Sequence, residues 1–343
     1  MRQYKVSRGT VTRALRDLEV TGVLKRRRGS GTFVRGGAVD GAAPKAAVGQ
    51  LHLAIFTPWT TTEQAAGPFH IALHHGISRV CSDHHATLTL QCLSTVGSTQ
   101  RERLLNATRS LIDRGPKVVL YCGLELPHDE MGLNVEVLEL LEQAGIHVVV
   151  IDRDVVPYPG RSKHAWVSYD NRRGSALLVQ HMHEQGYRRI AFVGIRHDST
   201  AVSDRVSGYH DGLHLCGLGL ERDRVVEAGE TVDEALADRV LATEPDAVIC
   251  KDTTYAAKLG MILAQRGYKI GQDFGLAGFD DDPIASMLPV PLTVVRQPIE
   301  PFAAAAYRMA AMVAAEGREA MLGRARIVIP TELVLRASSR RQG

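Results

Sequence analysis

From Leu51 onward the chain alternates short, unbroken apolar runs with amphipathic stretches, and this alternation limits its fold more than any other feature. The runs are LHLAIFTP (51–58), ATLTLQCL (86–93), KVVLYCG (117–123), HVVVID (147–152), RIAFVG (189–194), DAVICKD (246–252) and FGLAGFDD (274–281). Between them, 100–114, 134–144, 174–185 and 256–266 carry apolar residues at helical spacing. A strand that stays apolar on both faces belongs in a parallel sheet covered by helices on both sides, whereas a half-exposed strand alternates. There are too many such units for one sheet of ordinary size, so two α/β lobes are expected.

Composition narrows the class. The chain has 343 residues, 45% apolar and 23% charged, which suits a soluble protein of more than one domain. The nearest approach to a membrane span, 302–315, is alanine-rich and carries Arg308; a span needs about 18–20 uncharged apolar residues. No apolar segment follows the basic N-terminus, so no secretory signal is expected and a cytoplasmic location is. Cys81, Cys92, Cys122, Cys216 and Cys250 are widely spaced without a C-x-x-C pair, and reduced thiols are expected in place of disulfides or zinc. The histidines, including His70/His74 and His181/His183, lack a zinc-ligand pattern with a glutamate base; no metal and no cofactor are expected. Phosphate-loop, dinucleotide and nucleophile-elbow motifs are absent, which argues against an enzyme.

Charge separates the chain into a head and a body. Residues 1–36 hold ten Lys/Arg and two acids, a net +8, while the remainder holds 31 basic and 36 acidic residues, a net −5. A cationic head on a mildly anionic body points to a polyanion partner for the head alone. Ser7 is placed to cap a helix with an apolar stripe of Val11, Ala14, Leu15 and Leu18, ended by Gly22. Arg8, Thr12, Arg16 and, nearer the flank, Arg13 occupy the other side. Two short strands, 23–25 and 32–34, then flank the tip Arg26-Arg27-Arg28-Gly29-Ser30-Gly31. A helix followed by a cationic ribbon suits a DNA groove and its phosphates. Charge alone fits a solvated basic hairpin equally well. Residues 35–50 (RGGAVDGAAPKAAVGQ) read as a linker.

VSRGTVTRALRDLEVTGVLKRRRGSGTFV resembles the recognition helix and wing of the GntR-family winged helix-turn-helix. The resemblance implies that Arg8, Thr10 and Thr12 face bases or phosphates, with Arg13 beside them, and that Arg26, Arg27, Arg28, Gly29 and Ser30 form the wing. Many relatives carry arginine where this chain has Thr12. It also implies helices ahead of Tyr4 that the sequence as given does not contain. The expectation is therefore a partial winged helix (1–35) that binds operator DNA weakly in this form, with a start codon further upstream; a vestigial head is the alternative.

The body resembles the effector-binding domain of the LacI family and the periplasmic sugar-binding proteins. The markers are IDRDV (151–155), VSYDNRRGSALLVQHMHEQGYRRIAFVG (167–194), SDRVSGYHDGL (203–213), PDAVICKD (245–252), GLAGFDDDPIASMLPVPLTVVRQP (275–298) and PTELVLRAS (330–338). With a GntR-type head this resembles regulators of the arabinose-repressor type. The implied fold is a two-lobed, type I periplasmic-binding-protein-like domain over 51–340, with one lobe at 51–165 and 297–323 and the other at 166–296 and 324–338.

In parallel α/β sheets, ligands bind beyond the carboxyl ends of the strands. That rule alone selects Thr57, Trp59, Phe69, Asp152, Arg153, Arg205, Lys251 and Asp280, with Asp252 and Asp281 beside the last two at the same strand ends. The family likeness puts Asp152, Arg205 and Asp280 on ligand hydroxyls and adds Tyr169 as a cleft aromatic. Carboxylates and a guanidinium can each bond two adjacent hydroxyls, and an aromatic face packs on a sugar ring. Lys251 stands where asparagine is common, which admits an acidic or phosphorylated sugar. Other roles remain open for these residues: Asp280 and Asp281 as helix caps, Arg205 paired with Asp204, Trp59 as a packed aromatic, Asp152 and Arg153 as an interlobe ion pair. The expected function is that of a homodimeric repressor whose grip on a pseudo-palindromic operator responds to a small carbohydrate; a cytoplasmic sugar-binding protein is the runner-up.

Overall fold

The computed structural model describes residues 24–27, 31–34, 50–57, 68–125, 132–194, 199–219, 224–229, 231–316 and 325–341. The chain divides into two compact units, Met1–Lys45 and Ala46–Gly343. In the first, β1 (Leu24–Arg27) pairs antiparallel with β2 (Gly31–Val34), in the register Leu24↔Val34 to Arg27↔Gly31. The ladder thus runs through Arg26 and Arg27, which the sequence reading placed in the tip. Arg8, Thr10, Thr12, Arg13, Arg28, Gly29 and Ser30 lie outside the described residues.

The second unit contains two sheets. The first part of the chain supplies β3 (His52–Phe56), α1 (Pro68–Asp83), β4 (Thr87–Gln91), α2 (Gln100–Arg114), β5 (Val118–Tyr121), α3 (Gly132–Gln143), β6 (His147–Asp152) and β7 (Ala165–Tyr169). The second supplies α4 (Asn171–Glu184), β8 (Ile190–Gly194), α5 (Thr200–Leu215), β9 (Val225–Glu227), α6 (Glu234–Leu241), β10 (Ala247–Cys250), α7 (Thr253–Gln265), β11 (Gly275–Phe279), α8 (Pro283–Met287) and β12 (Thr293–Arg296). The chain ends with α9 (Ile299–Glu316), β13 (Arg326–Ile329) and β14 (Glu332–Val334). One sheet has the order β13-β7-β6-β5-β3-β4 and the other β14-β12-β11-β10-β8-β9. All pairs are parallel except β12 with β14.

The apolar runs explain this arrangement. All four residues of β5 and all five of β8 are buried, so each sheet must be covered on both faces. α1 and α9 cover one face of the first sheet, packing Leu73, Ile77, Phe302 and Met309 against Leu53, Leu120 and Ile151. α2 and α3 cover the other through Leu104, Leu111, Val137 and Leu141. The second sheet is enclosed in the same way. The alanine-rich run is the core helix α9, whose small side chains let it lie close to the sheet. Among the described residues no helix is long and apolar enough to cross a membrane. α2 shows how sharply the local sequence sets an element: Thr99 and Glu102 form a reciprocal capping box at its start. Gly115 ends it in the left-handed conformation at φ 61°.

The lobe boundaries differ from those expected. β7 and β13 belong to the first sheet, where Arg326 pairs with Trp166 and Ile329 with Tyr169. The chain therefore crosses between lobes after Tyr169, after Arg296 and after Ile329, not at 165 and 323. The reason is that the buried strand Ala165–Tyr169 completes the first sheet beside β6, and the first polar break comes only at Asp170. There the Asp170 N–H donates to the Ile329 carbonyl (2.9 Å), and the Thr331 hydroxyl donates to the Asp170 carbonyl (3.3 Å).

Candidate ligand-binding site

Strand order reverses at β3 in the first sheet and at β8 in the second, so each sheet opens a crevice at the carboxyl end of its central strands. A cavity with about 720 Å³ of space free of protein atoms, part of it open to solvent, lies there. The first lobe contributes Phe69, His70, Glu125, Asp152 and Arg153; the second contributes Arg205, Lys251, Asp252, Asp280 and Asp282. Gln297, on a crossing segment, also lines it.

On the first wall, Arg153 donates to Asp152 Oδ2 through Nε (3.1 Å) and Nη2 (3.0 Å), and through Nη1 to Glu125. Burial pushes the Glu125 carboxyl up, but Arg153, Lys251 and Arg205 together hold it below the usual range. Asp152 and Arg153 do form an ion pair, inside one lobe and not between lobes.

The second wall is more crowded. Arg205 is 7% exposed; its Nε donates to Asn171 Oδ1 (2.8 Å), Nη1 donates to the Lys251 carbonyl, and the guanidinium lies 4.2 Å from the Phe279 ring centroid. It faces inward on the second turn of α5 instead of pairing with Asp204. Lys251 is also occupied, with Nζ 3.6 Å from Asp252 Oδ2 and 4.6 Å from the Tyr255 ring centroid. Asp252 caps α7, accepting from the Tyr255 N–H (2.8 Å). Asp280 Oδ1 accepts from Gln297 Nε2 (2.6 Å). Burial raises the Asp280 carboxyl to about 7 against the pull of Arg205, with Asp252, Asp282 and Asp152 adding to the rise.

Six of the expected residues therefore share one cavity: Phe69, Asp152, Arg153, Arg205, Lys251 and Asp280. Two expected residues do not reach it. Thr57 is buried with its hydroxyl 3.1 Å from His74 Nε2. Tyr169 stacks on Phe302 (4.5 Å) and donates to the Pro298 carbonyl (3.3 Å), so it supports Phe69 from behind. Trp59 lies outside the described residues. Neither Asp280 nor Asp281 caps α8. The N-cap position is Asp282, without a side-chain capping bond, and Asp281 pairs with Arg296 and Arg336. Asp252, which the strand-end rule selects together with Lys251, lines the cavity as well; His70, Glu125, Asp282 and Gln297 line it without being selected by the sequence. Glu125 follows the end of β5 closely, so the strand-end rule that selects Asp152 and Asp280 extends to it.

Two family descriptions match the chain: "Bacterial regulatory proteins, gntR family" over residues 1–34 and "Periplasmic binding protein-like domain" over residues 179–339. The chain is thus similar to a periplasmic-binding-protein-like domain over 179–339 and to gntR-family regulators over 1–34. The body resembles the HTH-type transcriptional repressor PurR of Vibrio atlanticus, strain LGP32, at 25% identity over 240 residues, covering 68% of this chain and 67% of the relative. It also resembles the HTH-type transcriptional regulator GalR of Escherichia coli K12, at 28% over 199 residues, covering 56% of each. The periplasmic-binding-protein-like fold is shared with a transcriptional regulator, CelR, solved as a cellobiose complex. That likeness has a TM-score of 0.70 at 22% identity and covers 98% of this chain and 92% of that one.

Proposed function

We propose that the protein is a ligand-responsive transcriptional regulator whose body binds a small carbohydrate and whose head binds operator DNA. The observation that carries this reading is the convergence of Asp152, Arg153 and Glu125 from one lobe with Arg205, Lys251 and Asp280 from the other on a single cavity. The relatives are named regulators, which favours this role over that of a stand-alone sugar-binding protein. The CelR–cellobiose complex, which shares this fold, supports a sugar as effector.

The charges refine the ligand. Arg153, Arg205 and Lys251 face five carboxylates, those of Glu125, Asp152, Asp252, Asp280 and Asp282. Each cation is already held by protein acceptors or an aromatic ring. A net negative cavity favours a neutral polyhydroxylated molecule over an acidic or phosphorylated one.

Binding between the lobes favours their closed arrangement, and a homodimer converts closure into a changed spacing of two heads on a pseudo-palindromic operator in the cytoplasm. An apolar groove between α7 and residues 288–292, lined by Met261, Leu288 and Pro289 and with Met261 exposed, supports self-association there. The test is a thermal-shift screen of neutral sugars, sugar phosphates and nucleosides, followed by operator binding with and without the hit. A neutral sugar that raises the melting temperature and changes operator affinity is expected. A hit that leaves operator affinity unchanged overturns the regulatory reading.

A further inference from the structure

We propose that His70, Cys122 and Asp152 form a binding site for one divalent cation of the zinc class at the first-lobe wall of the cavity. The candidate ligand nitrogen, sulfur and oxygen atoms of the three side chains all lie within 4.8 Å of one another. They come from the start of α1, the residue after β5 and the last residue of β6. β5 and β6 are neighbours in parallel register, so their carboxyl ends bring Cys122 and Asp152 side by side. The start of α1 then sets His70 over them. Nothing in the spacing 70, 122, 152 resembles a metal motif, because the set exists only once the sheet has formed.

The donor chemistry selects the ion. Imidazole, thiolate and carboxylate together suit Zn²⁺ or Co²⁺, while Mg²⁺ and Ca²⁺ take oxygen ligands. Zinc bonds of about 2.0–2.3 Å place tetrahedral ligand atoms roughly 3.3–3.8 Å apart, so side-chain rotations of about 1 Å complete the sphere. Cys122 is buried, whereas His70 and Asp152 border the cavity. The fourth position therefore opens toward the space a ligand would occupy, where water or a ligand hydroxyl can enter.

The surroundings are compatible. Both bonds from Arg153 go to Asp152 Oδ2, leaving Oδ1 without a hydrogen bond among the described residues. An outer partner of this kind fixes a ligating carboxylate in orientation. Arg153 is itself paired with Glu125, and one thiolate with one carboxylate neutralises a dication. On binding, the sulfur–hydrogen bond of Cys122 is exchanged for a sulfur–metal bond and the proton passes to bulk water.

The experiment uses the tag-free full chain, stripped with a chelator and titrated with Co²⁺ alone while the absorption spectrum is followed. We expect one equivalent per chain, with a thiolate-to-cobalt charge-transfer band and the visible bands of tetrahedral cobalt. Cys122→Ser should lose the charge-transfer band, and His70→Gln should bind at least about tenfold more weakly. His84→Gln, at an exposed ring stacked on Tyr307, should behave as the parent. Far-UV circular dichroism checks that each variant folds, and His70→Gln decides alone if Cys122→Ser does not. A missing thiolate band, a band that survives in folded Cys122→Ser, or undiminished binding in His70→Gln overturns the site. Sugar binding measured with chelator present is a separate readout, so failure here and failure of the effector reading are distinguishable.

Discussion

Asp152 and Asp280 reach the cavity from opposite lobes in the same left-handed backbone conformation, with φ of 66° and 71°. Each follows the buried core of a parallel strand, β6 and β11. Aspartate and asparagine tolerate this conformation better than branched residues, for which it is a genuine strain. Asp280→Asn should therefore keep the fold while weakening effector binding about tenfold or more, given roughly 1.5–3 kcal/mol for a hydrogen bond to a charged group. Asp280→Val should lose both binding and stability. Calorimetric titration and thermal melts separate the two, and equal affinity of Asp280→Asn and the parent would remove Asp280 from the site.

The raised Asp280 carboxyl predicts a pH dependence. Its folded value of about 7 lies above the ordinary 3.8, so between those pH values the native state holds more protons than the unfolded state. Stability from this group is full below about 4, falls as pH rises, and is lost above about 7. The ligand-free parent should thus lose more melting temperature between pH 5 and pH 8 than Asp280→Asn does. Parallel curves for the two proteins would contradict the assignment.

Arg205 holds the second wall together while lining the cavity. Arg205→Lys keeps the charge but not the fork that reaches Asn171 and the Lys251 carbonyl together. Effector affinity and melting temperature should fall together. A variant with unchanged affinity would show that the guanidinium is structural only.

Thr200, the first residue of α5, bridges the lobes. Its hydroxyl accepts from the Asp154 N–H (2.8 Å) and lies 3.2 Å from the Asp154 carbonyl. Thr200→Val preserves shape and removes this bridge, which should favour the open arrangement by about 1 kcal/mol and weaken the effector roughly fivefold. Small-angle scattering of the ligand-free variant should show a more open body. An unchanged scattering profile and affinity would mean the bridge does not bias closure.

Self-association through the groove between α7 and residues 288–292 is tested by Met261→Glu. This residue is 59% exposed, so a charge there should spare the fold while raising the monomer fraction. Sedimentation equilibrium showing an undiminished dimer would move the interface elsewhere.

The parts of the fold that were legible in the sequence are those with a strong period. β3, β5, β6, β8, β10 and β11 are uninterrupted apolar runs, and α2 announces both of its ends. β13 and β14 are short and only partly buried, so no run marks them, and the crossing points were displaced with them. Asp152 and Asp280 are legible as cavity-lining residues because the crevice of a parallel sheet opens at its strand ends. Tyr169 satisfies the same rule but turns back onto Phe302, a choice made by helix packing that strand position does not reveal. His70 and Cys122 were passed over because pairwise spacing carries no information about neighbours brought together by sheet order.

The amide of Gln297 that grips Asp280 belongs to one of the three crossings between the halves of the body among the described residues. A guest that draws Asp280 toward itself must compete with that amide, so occupancy and the tension in the pivot change in one event. The message would then leave the pocket as a swing about three short tethers, with no need for a chain of contacts running through either core.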